Sequence, residues 1–245
     1  MAAVHEQNDE DWFRRPRTHA GMMRYDRKFR VLAVCFSGIA GYVDAIGFLM
    51  SEGFFVSFMS GNSTRMGIGV AAGSTSAGFA LGLVATFVAG VMLGTIAGRV
   101  AKANCRPAVL ALVTVLLAAG LGLHWLGAGL LVVFLLALAM GAENTVFAED
   151  GEVRIGLTYM TGTLVKLGTR LAIALLGGDS MGWLPYMLLW SGLLIGAIAG
   201  AIAYDIFGIN ALLAAVLAMA ALSGIAMGLV DGHDPAPEKA QPDQR

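Results

Sequence analysis

Residues 58–71 read FMSGNSTRMGIGVA, a polar cluster set inside a strongly apolar sequence. A variant of this stretch, YMTGTLVKLGTRLA, returns at residues 159–172. We call the two stretches the first and second motif segments, and each marks the polar centre of its half of the chain. The aligned positions keep a small hydroxyl residue, a glycine and a cation, in the pairs Ser60 and Thr161, Gly61 and Gly162, and Arg65 and Lys166.

The composition of the whole chain identifies the solvent around these segments. Of 245 residues, 57% are hydrophobic and only 13% are charged. A soluble domain carries about 25% charged residues, so this chain has too little polar surface to face water. The sequence therefore predicts an all-α integral membrane protein.

Apolar runs of spanning length surround the motif segments, which themselves lie in residues 54–72 and 155–176. Residues 1–28 are rich in arginine and predict a disordered cytoplasmic tail, and residues 232–245 predict a second disordered tail. The predicted spans are residues 31–50, 78–100, 108–125, 128–148, 185–204 and 209–230.

Matching landmarks indicate that the chain contains an internal repeat. GYVD at residues 41–44 corresponds to GAEN at residues 141–144, and glycine recurs at every fourth position in one span of each half. Three landmarks in the same order predict two homologous membrane repeats, residues 29–127 and 128–231. The glycine ridges are read as helix-packing surfaces. They consist of Gly90, Gly94 and Gly98, and of Gly192, Gly196 and Gly200.

The positions of lysine and arginine favour one topology over another. If all eight apolar segments cross the bilayer from a cytoplasmic N-terminus, the loop with Arg99, Lys102 and Arg106 lies outside, against the positive-inside rule. If the motif segments enter and return, that loop and both termini lie in the cytoplasm. We prefer this inverted repeat, with three crossings plus one broken or re-entrant helix in each half. Eight full crossings are the alternative.

GYVDAIGFL at residues 41–49, followed by FMSGNSTRMG at residues 58–67, resembles the YoaK-like family of bacterial multi-pass inner-membrane proteins, a domain of unknown function. The resemblance covers residues 28–230, and its best marks are Asp44 and the Ser-Gly-Asn run that begins at Ser60. The family carries threonine where this chain has Ser60, which keeps the hydroxyl group. The resemblance implies a bacterial inner-membrane location and no known chemistry.

Ionisable groups inside apolar spans cost about 2.5–3.5 kcal/mol each, so they face the protein interior or water. We expect a polar cavity near the membrane midplane, where the positive starts of two half-helices meet. Ser60, Asn62 or Thr161 could serve there as N-caps, and nearby cations favour an anionic metabolite. The candidate substrate- or ion-binding residues are Asp44, Ser60, Gly61, Asn62, Arg65, Glu143, Asn144, Thr161, Gly162 and Lys166.

Structural roles for the same residues stand beside this interpretation. The carboxylates Asp44 and Glu143 could balance the cations or carry a coupling proton, or they could form static ion pairs with Arg65 and Lys166. Asn62 and its counterpart Asn144 could act only as capping or interhelical hydrogen-bonding groups. These alternatives remain open at the level of sequence.

The sequence predicts a small-solute transporter or channel, with a membrane factor that binds a partner protein or lipid as the alternative. We recognise no motif of an enzyme, and we expect no metal and no cofactor, because Cys35 and Cys105 lack metal-ligand spacing. The expected partners are the lipid bilayer and a small solute, without nucleic acid, and a homo-oligomer is left open.

Overall fold

The computed structural model describes residues 27–149, 152–153 and 156–231. Most of the predicted terminal tails lies outside these residues, although the first helix already begins at Arg27. Two 3-10 turns, Lys102–Asn104 and Gly208–Ala211, interrupt longer helical stretches. The remaining elements are α1 (Arg27–Met50), α2 (Met59–Ala71), α3 (Ser76–Ala101), α4 (Cys105–Trp125), α5 (Gly129–Glu143), β1 (Ala148–Glu149), β2 (Glu152–Val153), α6 (Met160–Leu175), α7 (Leu184–Phe207) and α8 (Leu212–Asp231).

Four helical stretches are long and apolar enough to cross a membrane: Arg30–Met50, Ser76–Ala101, Cys105–Trp125 and Leu184–Met227. The last has 44 residues, and it contains both α7 and α8. Helix α5 is apolar but shorter, with 15 residues. The motif helices α2 and α6 are not among the candidate spans.

The outer faces of the long helices carry large apolar side chains. On α3, for example, Met92 is 59% exposed, Ile96 55% and Val100 76%. A soluble protein rarely exposes so much contiguous apolar surface, whereas lipid tails solvate it well. Together with the four candidate spans, this surface confirms the predicted all-helical membrane class.

Two helix crossings with very close backbones organise the core. Helix α1 packs along α7, and α3 packs along α5. A Cβ atom at Gly41 of α1 would overlap the carbonyl oxygen of Leu193, and one at Gly141 of α5 would overlap that of Phe87. Both glycines are therefore required by backbone approach, as is common between membrane helices. Helix α4 packs on α5 and α8 and closes the bundle.

The glycine ridges also lie in these crossings, but in a register that differs from the predicted one. Gly90 contacts Leu138 and Gly196 contacts Gly38, and the same spacing recurs one turn later between Gly94 and Ala142 and between Gly200 and Tyr42. Leu138 aligns with Gly38 in the sequence repeat, so the contacts match Gly90 with Gly196. The sequence alignment had matched Gly90 with Gly192, one helical turn earlier. Gly192 instead contacts Val34.

Candidate functional site

The first motif segment is the short helix α2, and the non-helical stretch before it is fixed to α1. Oδ1 of Asp44 accepts hydrogen bonds from the backbone N–H groups of Val56, at 2.9 Å, and Ser57, at 2.7 Å. An extended segment has no helical partners for its N–H groups, and in the protein interior they must be paired elsewhere. Asp44 supplies that pairing, and it thereby sets the depth at which α2 begins.

Asn62 closes the same segment from the opposite side. Its Oδ1 accepts from the N–H of Phe55 at 3.0 Å, and its Nδ2 donates to the Phe55 carbonyl at 2.6 Å. The Asn62 side chain is fully buried. The structural alternative for this residue, a local hydrogen-bonding role, thus describes what the amide does here.

The second motif segment is fixed to α5 in the same way. Oδ1 of Asn144 accepts from the backbone N–H of Thr158 at 3.3 Å, and Nδ2 donates to the Thr158 hydroxyl at 2.9 Å. Asn144 aligns with Asp44, and Thr158 aligns with Ser57. Ser57 and Thr158 were not among the predicted site residues, although both lie directly before the repeated motif.

An aromatic ring covers the first turn of each motif helix. A Cβ atom at Gly61 would overlap the ring of Phe58, and one at Gly162 would overlap the ring of Tyr159. These aromatic residues occupy the N-cap positions, and neither helix has a side-chain cap. The predicted capping by Ser60, Asn62 or Thr161 is therefore wrong. Ser60 and Thr161 lie exposed within the first turn of each helix.

The cations of the motif do not pair with the predicted carboxylates. The guanidinium carbon of Arg65 lies 4.3 Å from the centre of the Phe54 ring, and Lys166 is exposed. Both oxygens of Glu143 lack a hydrogen-bond partner in the described part of the chain. The alternative of static ion pairs, Asp44 with Arg65 and Glu143 with Lys166, does not describe this structure.

Glu143 is the most unusual of the candidate residues. It is the last residue of α5, its exposed fraction is 0%, and the neighbouring Asn144 and Thr145 are also buried. Burying an unpaired carboxylate is strongly unfavourable, and in membrane proteins such groups mark ion or proton pathways. The aligned residue in α1 is Val43, which is equally buried.

The structure does not gather the candidate residues into one cluster. Helix α2 packs on α3 and α6 packs on α7, and no extensive packing joins the described residues of α2 and α6. The central cavity between two half-helix starts stays a prediction. The hydrogen bonds described above form two polar sites, one beside Asp44 and one beside Asn144. Among the described residues, no three His, Cys, Asp or Glu side chains come together as a metal site.

These features define a multi-pass helical membrane protein with two interrupted helices. Residues 32–225 match a family described as a protein of unknown function, DUF1275, and the chain belongs to that family. A UPF0700 transmembrane protein of Rhizobium meliloti (strain 1021) is 38% identical over 177 residues, which cover 70% of this chain and 74% of that protein. No solved structure matches. The predicted family resemblance is confirmed.

Proposed function

We propose that this protein is a small-solute transporter or channel built from two homologous halves of opposite orientation. The observation that carries the proposal is the repeated interrupted helix, with Asp44 and Asn144 each holding the backbone just before a motif helix. Broken helices held at membrane depth are a recurrent device for solute and ion sites. A duplicated polar site fits transport better than catalysis, so we propose no enzymatic activity.

The helix lengths support opposite orientations for the two halves. Helices α2 and α6 have 13 and 16 residues, against about 20 for a full crossing. Helix α5 has only 15 residues, and we count it as a crossing because it is much more apolar than α2 and α6 and is followed by the buried apolar residues Val146 and Phe147. If both re-enter, each half contributes three crossings, and the loop with Arg99 and Lys102 faces the cytoplasm together with both termini. In this proposal the protein lies in the bacterial inner membrane.

The two motif helices offer similar chemistry to a solute. Each begins with exposed small residues, Ser60 or Thr161, at the positive end of the helix dipole. Arg65 and Lys166 add a positive charge further along the respective helix. These groups favour an anionic metabolite over a cation.

Glu143 distinguishes the second half and supplies a coupling group. A buried carboxyl with two unpartnered oxygens lowers its free energy by holding a proton or a cation. Release of that ion on one side of the membrane would bias the bundle between two states, since the charged and neutral forms differ strongly in burial cost. We propose that Glu143 couples solute movement to an ion gradient.

A flux assay in proteoliposomes tests the proposal. Uptake of a panel of small organic anions is measured with and without an inward proton gradient. We expect at least one solute to be transported, with gradient dependence lost in Glu143→Gln and kept in Glu52→Gln, which neutralises an exposed carboxylate. Absence of flux for every solute, from protein that elutes as a folded species, would contradict a transport role.

Cys105 tests the orientation of the halves independently. It lies at the start of α4 beside the basic loop, and Cys35→Ser removes the second thiol. A membrane-impermeant thiol reagent should label Cys105 in inverted vesicles and fail to label it in intact spheroplasts. Labelling from the outside would mean that α2 crosses the bilayer and that the halves run parallel.

A further inference from the structure

A cavity of about 260 Å³ opens between α3, α4 and the turn that follows α5. A single water needs only about 10–15 Å³ of such space, so the cavity can hold a chemical group of several heavy atoms. Arg99, Thr95 and Thr145 provide polar groups in its wall, and Val109 provides apolar surface. The lining is therefore amphipathic and carries a positive charge.

Gly98 contributes open space to the cavity wall because it has no side chain. The nearest atoms to a Cβ at this position would be Cγ2 of Val109, at 3.6 Å, and Cβ of Cys105, at 3.7 Å, so a side chain would fit. If the ridges are aligned by their contacts, Gly98 corresponds to Tyr204 in α7, which is partly buried against the core. The first half thus has a glycine where the second has a large aromatic side chain.

Lys102 follows this cavity in a backbone conformation that suits glycine. Its φ is 50° and its ψ is −111°, and the aligned residue Gly208 has φ 59° and ψ −146°. Both residues end a long helix and begin a 3-10 turn. A lysine is strained in this region, and strained residues that persist are concentrated at functional sites. Lys102 is not part of the cavity wall, but its N–H donates to the Arg99 carbonyl, and it carries a second positive charge at this end of α3.

Arg99 and Lys102 are exposed. No hydrogen bond or ion pair to their side chains is present among the residues whose side chains the structure describes, a set that leaves out Glu149 and Glu152. Beside Arg99, α3 exposes Ile96 and Val100 to the surroundings, and these apolar side chains mark the lipid-facing surface. The cavity therefore lies beside an apolar membrane face, with the positive charge of Arg99 in its wall and that of Lys102 three residues further along the chain.

We propose that this cavity binds a negatively charged phosphate group, supplied by an anionic phospholipid whose chains lie along α3. Arg99 binds the phosphate oxygens from the cavity wall, Lys102 adds a second positive charge three residues further along the chain, and the open space at Gly98 admits the group beneath the helix surface. Basic pockets between membrane helices bind anionic head groups in this manner. The site is separate from the motif helices and does not depend on transport.

Binding is measured as the shift in the melting temperature of the detergent-solubilised full chain, followed by tryptophan fluorescence. The chain is titrated with short-chain phosphatidylglycerol, with phosphatidylcholine of the same chain length, and with inorganic phosphate. We expect a saturable rise with phosphatidylglycerol only. Arg99→Gln should weaken its apparent affinity by about fivefold, the value of one cation near a lipid surface, and Gly98→Leu should abolish the shift by filling the cavity.

Lys102→Gly separates binding from folding, because it relieves the strained backbone while removing a cation. It should raise the melting temperature without ligand and weaken phosphatidylglycerol binding about fivefold. Lys28→Gln is the matched control, since it removes an exposed charge at the start of α1 and should leave the affinity unchanged. Unchanged affinity in Arg99→Gln and Gly98→Leu would overturn the proposal. A full shift with inorganic phosphate alone would overturn the lipid as its source.

Discussion

The two predicted halves of the molecule differ in their charges but share several backbone contacts. In each, a side chain at the end of one helix holds the backbone just before a motif helix, but the first half uses the carboxylate of Asp44 and the second uses the amide of Asn144. Glu143 aligns with Val43 in the predicted repeat. Lys102 has the backbone conformation that Gly208 has at the end of α7. The shared contacts hold the backbone, whereas the charges of Glu143 and Lys102 are found in one half only.

The largest effect is expected where both halves need the same close backbone approach. Gly41→Leu and Gly141→Leu each place a side chain against a carbonyl oxygen of the facing helix. We expect each substitution to cost at least about 3 kcal/mol, the upper end for an overpacked core. The measurement is the yield of monodisperse protein in size-exclusion chromatography.

Gly98→Ala is the matched control for these two substitutions, since a Cβ at Gly98 would make only ordinary contacts. Its yield should equal that of the unmodified chain. Normal yields from both leucine variants would show that the α1–α7 and α3–α5 crossings tolerate separation, and the structural likeness of the halves would lose its main support.

The next largest effect is a difference in stability between substitutions of Asp44 and Asn144, the two residues that hold the backbone before the motif helices. Asp44→Ala leaves two N–H groups without an acceptor, whereas Asn144→Ala leaves one. Because a hydrogen bond to a charged group contributes about 1.5–3 kcal/mol and a neutral one about 1 kcal/mol, the first substitution should be the more destabilising. Unfolding in a titration with denaturing detergent measures the difference.

Asp44→Asn tests whether the charge of Asp44 is needed, because it gives the first half the amide that Asn144 provides in the second. It keeps an oxygen acceptor and should lose less stability than Asp44→Ala. Equal losses for Asp44→Asn and Asp44→Ala would mean that the charge, and not the geometry of acceptance, holds the segment.

A smaller effect is expected for the two motif cations. Arg65 lies over the Phe54 ring and is half-buried, and Lys166 is exposed. Arg65→Ala should lose about 1 kcal/mol of stability through the cation–π contact, and Lys166→Ala should stay within about 0.5 kcal/mol. The same detergent titration measures both. A larger loss for Lys166→Ala would indicate a partner for this residue that the described residues do not contain.

The long helices could be predicted from the sequence because a helix that crosses a membrane needs an apolar run of about 20 residues. The predicted span 78–100 becomes α3, Ser76–Ala101. Helices α2 and α6 are shorter than a full crossing, but α5 is equally short, so length does not decide which of them cross the bilayer. The predicted span 128–148 is too long, because α5 ends at Glu143 and the following residues form a turn. Apolarity alone did not reveal this end, since Val146 and Phe147 are buried in the turn.

The arrangement of the helices was harder to predict. Every face of a membrane helix can be apolar, so hydrophobic periodicity does not identify the neighbour of α2 or α6. Glycines at every fourth position look the same when one ridge is shifted by one helical turn. The sequence pattern therefore could not distinguish a match of Gly90 with Gly192 from a match with Gly196. The anchors of Asp44 and Asn144 act on backbone groups, and backbone groups leave no trace in the sequence.

The smallest expected effect concerns the two residues that follow α3 and α7. Gly208→Ala should lose about 1 kcal/mol, because φ is 59° there. Lys102→Gly should gain roughly 0–2.5 kcal/mol, the difference between relief of about 1–3 kcal/mol of strain and the roughly 0.5–1 kcal/mol by which glycine favours the unfolded chain. Lys102→Ala removes the same charge but keeps a Cβ, so it should gain nothing. If Lys102→Ala gained as much stability as Lys102→Gly, the gain would come from removing charge repulsion with Arg99. The backbone at Lys102 would then not be strained.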